Sequence, residues 1–332
     1  MQIQTTEAKQ IGVVYKKNLG HYDVHQHHTV TTCVLSSKLW KDLNPVNKSG
    51  KTNKTREMIV EKHMDPVAIG DRVSYTLAGD GSGMIMSVLP RKNYIARASA
   101  KPMPGAHAFE QIIAANVDQV ISVFAAANPK PKWHLLDRHL IAAENYGIPA
   151  QIVVTKTDLV MGKQAEEVLL KMLQIYRDIG YPVILTSAKE NTGVDELREA
   201  LQNRRSVLIG KSGVGKSSLL NALETGLGVR VQAVNKTTGK GRHTTSHLEM
   251  FPLVSGGEII DTPGTREFGL WGIDPNEIPF CFPEMAPLIG QCKFGMSCQH
   301  DEEPGCVIRQ AVIEGRISPY RYKSYLRLKA DR

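Results

Sequence analysis

Short runs in which apolar and polar residues alternate mark the N-terminal part of the chain. They cover Ile11–Tyr15, Thr29–Leu35, Arg72–Leu77 and Met84–Leu89, and glycine turns such as Gly79–Gly81 separate them. Alternation with a period of two is typical of half-buried strands, and many short strands joined by glycine turns predict a small β-barrel. We expect an OB-fold and assign it residues 1–102.

A polar, lysine-rich stretch, Ser36–Arg56, interrupts this region. Its basic residues are Lys38, Lys41, Lys48, Lys51, Lys54 and Arg56. This composition predicts a long mobile loop. Two roles stay open for it, a contact with RNA phosphates or a soluble surface insertion.

The pattern changes after residue 102. Apolar runs typical of buried strands cover Val120–Ala125, Gln151–Thr155, Val183–Thr186, Ser206–Ile209 and Glu258–Ile260. Between the first two runs, Trp133–Tyr146 has apolar residues at helical spacing. Strands that alternate with helices predict a mainly parallel sheet, and hence a multidomain α/β protein. We assign residues 103–272 to this α/β domain and residues 273–332 to a third domain.

One segment combines a strand, a glycine-rich turn and a helix in the order that phosphate binding requires. The turn is Gly210-Lys211-Ser212-Gly213-Val214-Gly215-Lys216-Ser217, a complete P-loop motif. Backbone N–H groups of such a turn surround phosphate oxygens, and the helix N-terminus adds positive potential. We predict that Lys216 bridges the β- and γ-phosphates and that Ser217 ligates Mg²⁺.

Two motifs at strand ends predict guanine as the base. They are Thr155-Lys156-Thr157-Asp158 and Ser187-Ala188-Lys189. The Asp158 carboxylate can accept hydrogen bonds from the N1–H and 2-amino groups of guanine, a donor pair that adenine lacks. The Lys156 stem would pack on the base, and a backbone N–H of the second motif would meet guanine O6. Because nucleotides bind at the carboxyl ends of parallel strands, these motifs and the P-loop together predict a GTP/GDP site.

The order of the motifs is unusual. Asp261-Thr262-Pro263-Gly264 follows the last apolar strand and supplies a second Mg²⁺ ligand, Asp261, and a γ-phosphate contact, Gly264. Ordinary GTPases begin with the P-loop and end with the guanine-reading motifs, whereas here the guanine-reading motifs come first. We therefore predict a circularly permuted P-loop GTPase domain, which is possible because domain termini often lie close together.

A compact set of metal ligands lies near the C-terminus. Cys292, Cys298, His300 and Cys306 supply three thiolates and one imidazole, which predicts one closed, tetrahedral, structural Zn²⁺ site. Five cysteines, three of them clustered, indicate a metal site in a reducing compartment rather than a disulfide framework. The remaining two, Cys33 and Cys281, are expected in the core.

The overall charge indicates an anionic partner. The chain has 41 Lys and Arg against 33 Asp and Glu, which favours nucleic acid or an anionic membrane surface. No segment approaches the roughly 20 apolar residues that span a bilayer, and the N-terminus has no apolar signal core. We expect a cytoplasmic monomer without a membrane partner.

The last helix is predicted to begin at Ser318-Pro319. Tyr322, Tyr325 and Leu326 share one face, and the basic residues on the other face are Arg321, Lys323, Arg327 and Lys329. An rRNA phosphate contact and a solvated face beside the zinc lobe both remain open.

With these motifs, the sequence strongly resembles the RsgA (YjeQ) family of circularly permuted GTPases that depend on the small ribosomal subunit. Further carriers of the resemblance are Leu89–Lys92, Ile113–Asp118, Leu136–Arg138, Gly241–Thr245, Arg266–Phe268 and Glu303–Cys306. The resemblance implies an N-terminal OB-fold that binds RNA, a permuted GTPase domain and a C-terminal zinc domain. It also implies a GTP hydrolase that binds the 30S subunit and its 16S rRNA, assists late maturation and leaves after hydrolysis.

Three features depart from the family pattern. Thr155 stands where the guanine motif usually has Asn, the N-terminal region is longer, and Cys292 and Cys298 are spaced one residue wider. These departures are those expected of a divergent family member, or of a second family member within the same cell.

The catalytic group is the least defined part of the site. In Ras-like enzymes a Gln directly after the DxxG motif positions the attacking water, whereas here that residue is Thr265, whose side chain is too short. We expect slow basal turnover. We predict that His243, beside Thr244 and Thr245, orients the water once the 30S surface orders this segment, and that one threonine ligates Mg²⁺ or the γ-phosphate. A packing or RNA-contacting role of His243 is the alternative.

Two other function classes compete with this interpretation. One is a GTP-sensing RNA-binding module that barely hydrolyses GTP, which phosphate release with and without 30S subunits would distinguish. The other is a membrane-surface GTPase, which the sequence disfavours because it has no amphipathic anchor or lipidation site.

Overall fold

A computed structural model describes residues 9–18, 20–43, 67–98, 110–228, 230, 249–261 and 273–331 of the chain. The chain divides into two compact units. The first combines residues 1–117, 203–207 and 229–263, and the second combines residues 118–202, 208–228 and 264–332.

The first unit contains the predicted barrel. Its strands are β1 (Gln10–Asn18), β2 (His21–Gln26), β3 (Thr29–Leu35), β4 (Arg72–Leu77) and β5 (Gly83–Val88), and they close in the order β1-β2-β3-β5-β4. Val14, Val24 and Ile85 are fully buried inside it. A Cβ at Gly83 would lie 2.4 Å from Cys33 Sγ, so the close approach of β3 and β5 requires glycine there. The barrel prediction is confirmed, although the sequence pattern did not indicate β2.

The lysine-rich stretch is not a loop throughout. Ser37–Leu43 forms helix α1, so the predicted loop is wrong for these residues, and residues 44–56 lie outside the described part. The buried Ser36 hydroxyl accepts a hydrogen bond from the Leu39 N–H at 3.1 Å, as an N-cap residue does. Leu39 is itself buried. One cap and one anchored apolar residue are enough for a short helix, and composition alone did not indicate either.

Two further pairs of strands belong to the first unit. β6 (Tyr94–Ala98) and β7 (Glu110–Ala115) form an antiparallel two-stranded sheet. β12 (Met250–Pro252) and β13 (Glu258–Asp261) form an antiparallel hairpin in which Met250 pairs with Ile260 and Pro252 with Glu258. The amino-terminal half of β11 (Arg205–Ile209) neighbours β13 in this unit.

The second unit contains a parallel sheet. β8 (Gln119–Ala125), β9 (Ala150–Thr155) and β10 (Val183–Leu185) lie in the order β10-β9-β8, with parallel registers such as Val123 to Val153. The carboxyl-terminal half of β11 follows β8. β8 is buried along almost its whole length, as expected of a central strand covered on both faces.

Among the described residues of the second unit, the helices with defined bounds lie before and after the strands of this sheet. They are α2 (Trp133–Asn145), α3 (Gln164–Ile179), α4 (Val194–Leu201), α5 (Lys216–Leu223), α6 (Val307–Ile313) and α7 (Pro319–Ala330). The predicted α/β alternation is confirmed, and each predicted strand of the α/β region agrees with an observed strand to within one residue.

A buried ion cluster joins the C-terminal helix to α2. Arg321 of α7 donates hydrogen bonds to Asp137 of α2 at 2.5 Å and to Glu284 at 2.7 Å. Its guanidinium also lies 4.6 Å from the Phe282 ring centroid. Burial alone would lower the pKa of Arg321, but the two carboxylates raise it well above its ordinary value. Arg321 is fully buried, so the sequence-based placement of Arg321 on an accessible basic face is wrong.

Candidate nucleotide site and metal centre

The P-loop connects β11 to α5. Gly213 and Gly215 have φ angles of +83° and +98°, which residues with a side chain rarely adopt, and Gly215 is the N-cap residue directly before α5. A Cβ at Gly210 would lie 2.5 Å from the carbonyl oxygen of Val123, so the neighbouring strand leaves no room for a side chain. The loop is built to expose backbone at the carboxyl end of the sheet. Lys216 Nζ bonds back to the Gly210 carbonyl at 2.5 Å, across the turn that would receive phosphate.

Two residues of the guanine motif hold the P-loop in place. Thr155 is buried and donates its hydroxyl to the Val214 carbonyl in a short hydrogen bond. Lys156 donates to the carbonyls of Gly213, at 2.7 Å, and Asn128. Lys156 has a φ of +58°, which turns the chain sharply at the end of β9 and aims its stem across the loop. Thr155 therefore joins the β9 end to the P-loop, although it lacks the amide of the usual Asn.

Asp158 and the Ser187 motif meet at the ends of β9 and β10. Ser187 Oγ donates to Asp158 Oδ1 at 2.6 Å, and Ser187 Oγ accepts from the Glu190 N–H at 3.2 Å. Thr157 Oγ1 donates to the Thr186 carbonyl at 3.1 Å and joins the two motifs a second time. These contacts fix the orientation of the Asp158 carboxylate, and preorganisation of this kind reduces the cost of binding.

The two guanine motifs and the P-loop surround one cavity of about 340 Å³. Its lining residues are Thr155, Lys156, Asp158, Leu159, Ala188, Lys189, Gly215, Ser218 and Leu219. The structure thus brings together residues predicted from three separate motifs. Leu159, Ser218 and Leu219 were missed, although their places directly after the guanine motif and the P-loop were a usable signal.

A buried polar pair lies near this site. Ser122 Oγ of β8 and His139 Nδ1 of α2 are 2.9 Å apart, and both residues are almost completely buried. Burial, together with the weaker effect of the Lys216 and Arg138 charges, lowers the pKa of His139 to about 3. His139 is therefore neutral at physiological pH, so it adds no positive charge beside the P-loop.

The four predicted metal ligands converge in the second unit. Their ligand atoms all lie within 4.8 Å of one another, and all four side chains are buried. Cys292 Sγ lies 3.9 Å from Cys306 Sγ and 3.5 Å from His300 Nδ1. Tetrahedral zinc, with Zn–S near 2.3 Å and Zn–N near 2.0 Å, requires an S···S separation of about 3.8 Å and an S···N separation of about 3.5 Å. The donor set therefore fits one Zn²⁺.

Backbone N–H groups of α6 support this cluster. The Val307 N–H donates to Cys292 Sγ at 3.3 Å, and the Arg309 N–H donates to Cys306 Sγ at 3.5 Å. Burial, with a smaller effect of the contact with Cys292, raises the pKa of the Cys298 thiol to about 12. Thiols with such a pKa ionise readily only beside a cation, so metal binding would displace protons here.

A model of the family described as RsgA GTPase matches residues 88–271, which include the guanine motifs, the P-loop and the strand that ends at Asp261. The chain belongs to the RsgA GTPase family. It is therefore a GTPase, and its circularly permuted motif order is that of its family.

Relatives of this RsgA-family chain extend over most of its length. A protein from Gemmatimonas aurantiaca named small ribosomal subunit biogenesis GTPase RsgA is 46% identical to this chain, and the match covers 80% of this chain and 84% of the relative. The relative from Pseudomonas aeruginosa is 41% identical over 81% of this chain and 77% of its own length. The one from Bacteroides fragilis is 41% identical over 81% and 84%.

Two solved structures share the fold. The crystal structure of YjeQ from Thermotoga maritima superposes with a TM-score of 0.72 at 29% identity and covers 98% of both chains. The crystal structure of YloQ, titled a circularly permuted GTPase, superposes with a TM-score of 0.69 at 27% identity, covering 100% of this chain and 97% of that one. The predicted permuted architecture is thereby confirmed.

The remaining predicted site residues are placed only in part. Asp261 ends β13 in the first unit and is 5% exposed. His243, Thr244, Thr245 and Gly264 lie outside the described residues. Across the residues that are described, no helix is long and apolar enough to cross a membrane.

Proposed function

We propose that this RsgA-family GTPase binds the small ribosomal subunit in its GTP state, assists late maturation of that subunit, and leaves after it hydrolyses GTP. The observation that carries the proposal is the single cavity lined by Asp158, Ala188 and Gly215, since it joins base-reading and phosphate-binding motifs in one place. The names of the curated relatives support the small subunit as the partner.

The roles of the site residues follow from the chemistry of their atoms. Asp158 reads the guanine N1–H and 2-amino group, and Ser187–Lys189 offer backbone N–H groups to O6. The N–H groups of Gly210–Ser217 bind phosphate, and Lys216 pairs with the β- and γ-phosphates. Ser217 and Asp261 offer a hydroxyl and a carboxylate oxygen, the donors that Mg²⁺ prefers, and bound Mg²⁺ would neutralise phosphate charge.

The architecture we propose has three domains. They are an OB-fold of residues 1–102, the permuted GTPase domain of residues 103–272 and the zinc domain of residues 273–332. The barrel and zinc domain contact 16S rRNA, and the protein acts as a cytoplasmic monomer. The excess of basic residues supports an RNA partner, since phosphate contacts supply most of non-specific nucleic-acid affinity.

Co-sedimentation tests this function directly. Purified protein is mixed with 30S, 50S or 70S particles in GDP or in a non-hydrolysable GTP analogue. We expect binding to 30S alone, stronger with the analogue. Phosphate release should rise when 30S is added. Equal release with and without 30S would instead favour a GTP-sensing binding module.

His243 is proposed as the group that orients the attacking water. His243→Ala should keep GTP affinity and 30S binding and lose most of the 30S-stimulated rate, about 10²–10⁴-fold. Single-turnover hydrolysis with and without saturating 30S measures this loss. Full stimulation of the variant would remove His243 from the mechanism and point to Arg266 or a ribosomal group.

A further inference from the structure

A charged cluster in the first unit joins the barrel to the β12–β13 hairpin. Tyr15 of β1 donates its hydroxyl to Glu258 Oε1 at 2.5 Å, and Arg205 Nε donates to Glu258 Oε2 at 2.9 Å. Both oxygens of the Glu258 carboxylate are thus engaged, one by the barrel and one by the first residue of β11. The side chains of Arg205 and Glu258 are 11% and 23% exposed, so the pair is largely shielded from water.

Arg205 extends this cluster to a second point of the barrel. Its Nη1 donates to the Gly70 carbonyl at 2.9 Å, and Asn116 Nδ2 donates to the same carbonyl at 3.0 Å. Gly70 has a φ of +85°, and a Cβ there would lie 2.3 Å from the Ala115 carbonyl oxygen. The chain therefore has room only for glycine where barrel backbone meets Arg205.

The other strand of the hairpin has its own tie. Lys16 of β1 forms a backbone bridge with Glu249, and their side chains form an ion pair at 3.3 Å. In the hairpin Met250 pairs with Ile260, so the next pair in this register is Glu249 with Asp261. One barrel strand therefore contacts the hairpin both at the start of β13 and beside the register position of Asp261.

The barrel therefore contacts both strands of the hairpin, and two separate contacts restrict both rotation and translation of the hairpin relative to the barrel. Glu258 lies three residues before Asp261 on β13, about 10 Å along an extended strand. Hydrogen-bonded strands deform little over such a distance, so a displacement of Glu258 is transmitted to Asp261. Ligand binding that moves one end of such an element must bias the other end, because coupling between sites is reciprocal.

We infer that Glu258 is a positioning residue for the stimulation of GTP hydrolysis by the small subunit, through which the barrel controls the placement of Asp261. The Tyr15–Glu258–Arg205 cluster holds the barrel and the β12–β13 hairpin together, so that they move as one rigid group. When the barrel engages the small subunit, the hairpin follows the barrel, and Asp261 moves with the hairpin. The inference rests on the proposed function, since it assigns a route to stimulation by the subunit.

Single-turnover GTP hydrolysis tests the route. Tyr15→Phe, Glu258→Gln and the double variant are compared with wild type, each with and without saturating 30S. We expect about a tenfold loss of stimulation in each single variant, within the usual range of coupling between sites. The double variant should lose no more than either single one, because both interrupt one connection. Basal rate, GTP affinity and 30S affinity should stay within about twofold of wild type.

Tyr75→Phe is the matched control. Tyr75 is a buried barrel tyrosine whose hydroxyl donates at 3.1 Å to Gln26, within the barrel. Loss of the Tyr75 hydroxyl should reduce the stability of the protein as much as loss of the Tyr15 hydroxyl does, yet leave the stimulation of GTP hydrolysis by 30S intact. A Tyr75→Phe variant that loses stimulation equally would show a general effect of barrel stability and overturn the inference.

A second measurement needs no ribosome and separates the two ideas. The Val14 N–H donates to the Asp71 carbonyl within the barrel at 2.9 Å. Its hydrogen exchange should differ between GDP and a non-hydrolysable GTP analogue in wild type, and the difference should vanish in Tyr15→Phe. A wild type that 30S does not stimulate would contradict the proposed function, whereas this exchange difference would still support the coupling. Stimulation retained in both variants, or an exchange difference retained in Tyr15→Phe, would refute the coupling alone.

Discussion

The guanine motifs with the P-loop and the metal centre belong to the same compact unit but are built in opposite ways. Asp158, Ser187 and the P-loop follow the ends of β9, β10 and β11, three strands with buried residues. The metal ligands lie in residues 292–306, where the only regular structure before α6 is a 3₁₀ turn at Gly295–Ser297. At the nucleotide site the sheet positions the ligand groups, whereas at the metal centre the ligand itself must contribute to the fold.

This difference shows what each site depends on. Hydrogen bonds such as Ser187 to Asp158 join residues that follow the ends of neighbouring strands, so the sheet positions both partners. In the metal lobe, buried thiols and one imidazole converge without a sheet, and structural zinc supplies folding free energy directly. The two sites should therefore respond differently when one ligand group is removed.

Loss of the metal should have the largest effect. Cys298→Ser removes one of four ligands, and apparent zinc-binding free energies in structural sites are about 10 kcal/mol or more. We expect less than one equivalent of zinc by metal analysis and rapid proteolysis of the C-terminal lobe, with GTP affinity near that of wild type. Cys281→Ser, a buried cysteine that is not a ligand, is the control and should retain zinc. Metal-free protein with a protease-resistant C-terminus would contradict this prediction.

Disruption of the buried ion cluster should be the next largest effect. Arg321→Met leaves Asp137 and Glu284 with an uncompensated charge, and breaking a buried pair typically costs about 3–5 kcal/mol. Chemical denaturation followed by a probe in α7 should show this loss. Arg327→Met on the exposed side of the same helix should change stability little. Equal stability of both variants would mean that the cluster does not hold α7 to α2.

Asp158→Asn should have an intermediate effect that is confined to the nucleotide. The amide can no longer accept from both guanine donors, so GTP affinity should fall about 10- to 100-fold while affinity for xanthosine triphosphate rises. Equilibrium binding of both nucleotides measures the change. Asp178→Asn, an exposed carboxylate on α3, provides the control. Unchanged GTP affinity of Asp158→Asn would show that guanine is read elsewhere.

The smallest effect should come from the hydroxyl groups of α7. Tyr325 and Lys329 both donate to the Gln299 carbonyl, at 2.8 and 2.9 Å, and Tyr322 donates to the His300 carbonyl at 2.8 Å. Tyr325→Phe removes one such bond, worth about 1 kcal/mol. Hydrogen exchange in residues 299–301 should increase while zinc content stays at one equivalent. Loss of zinc from this variant would mean that α7, and not the metal, dominates the lobe.

These contacts also bear on the role of the basic residues of α7, which the sequence left open. The tyrosines of α7 pack on the metal lobe, and Lys329 is bound to it, so only Lys323 and Arg327 of the four predicted basic residues remain exposed for phosphate. The solvated-face alternative accounts for more of this helix than an extended rRNA contact does.

The sequence by itself determined the elements whose chemistry lies in consecutive residues. The P-loop, both guanine motifs and the Cys/His spacing each combine within about fifteen residues. The barrel strands and the parallel strands were also predictable, because each carries its own periodicity of apolar residues. The motif order further identified the permuted domain.

Only the tertiary structure decided the contacts between residues that are distant along the chain. Arg321 and Asp137 are 184 residues apart, and Tyr15 and Glu258 are 243 residues apart. A charge or hydroxyl in a helix or strand has the same local pattern whether it faces water or a partner. Whether Arg321 is an exposed cation or a buried one depends on which element packs against it. Whether such a side chain is buried is decided by how all elements of the unit pack together, and no single segment of the sequence encodes it.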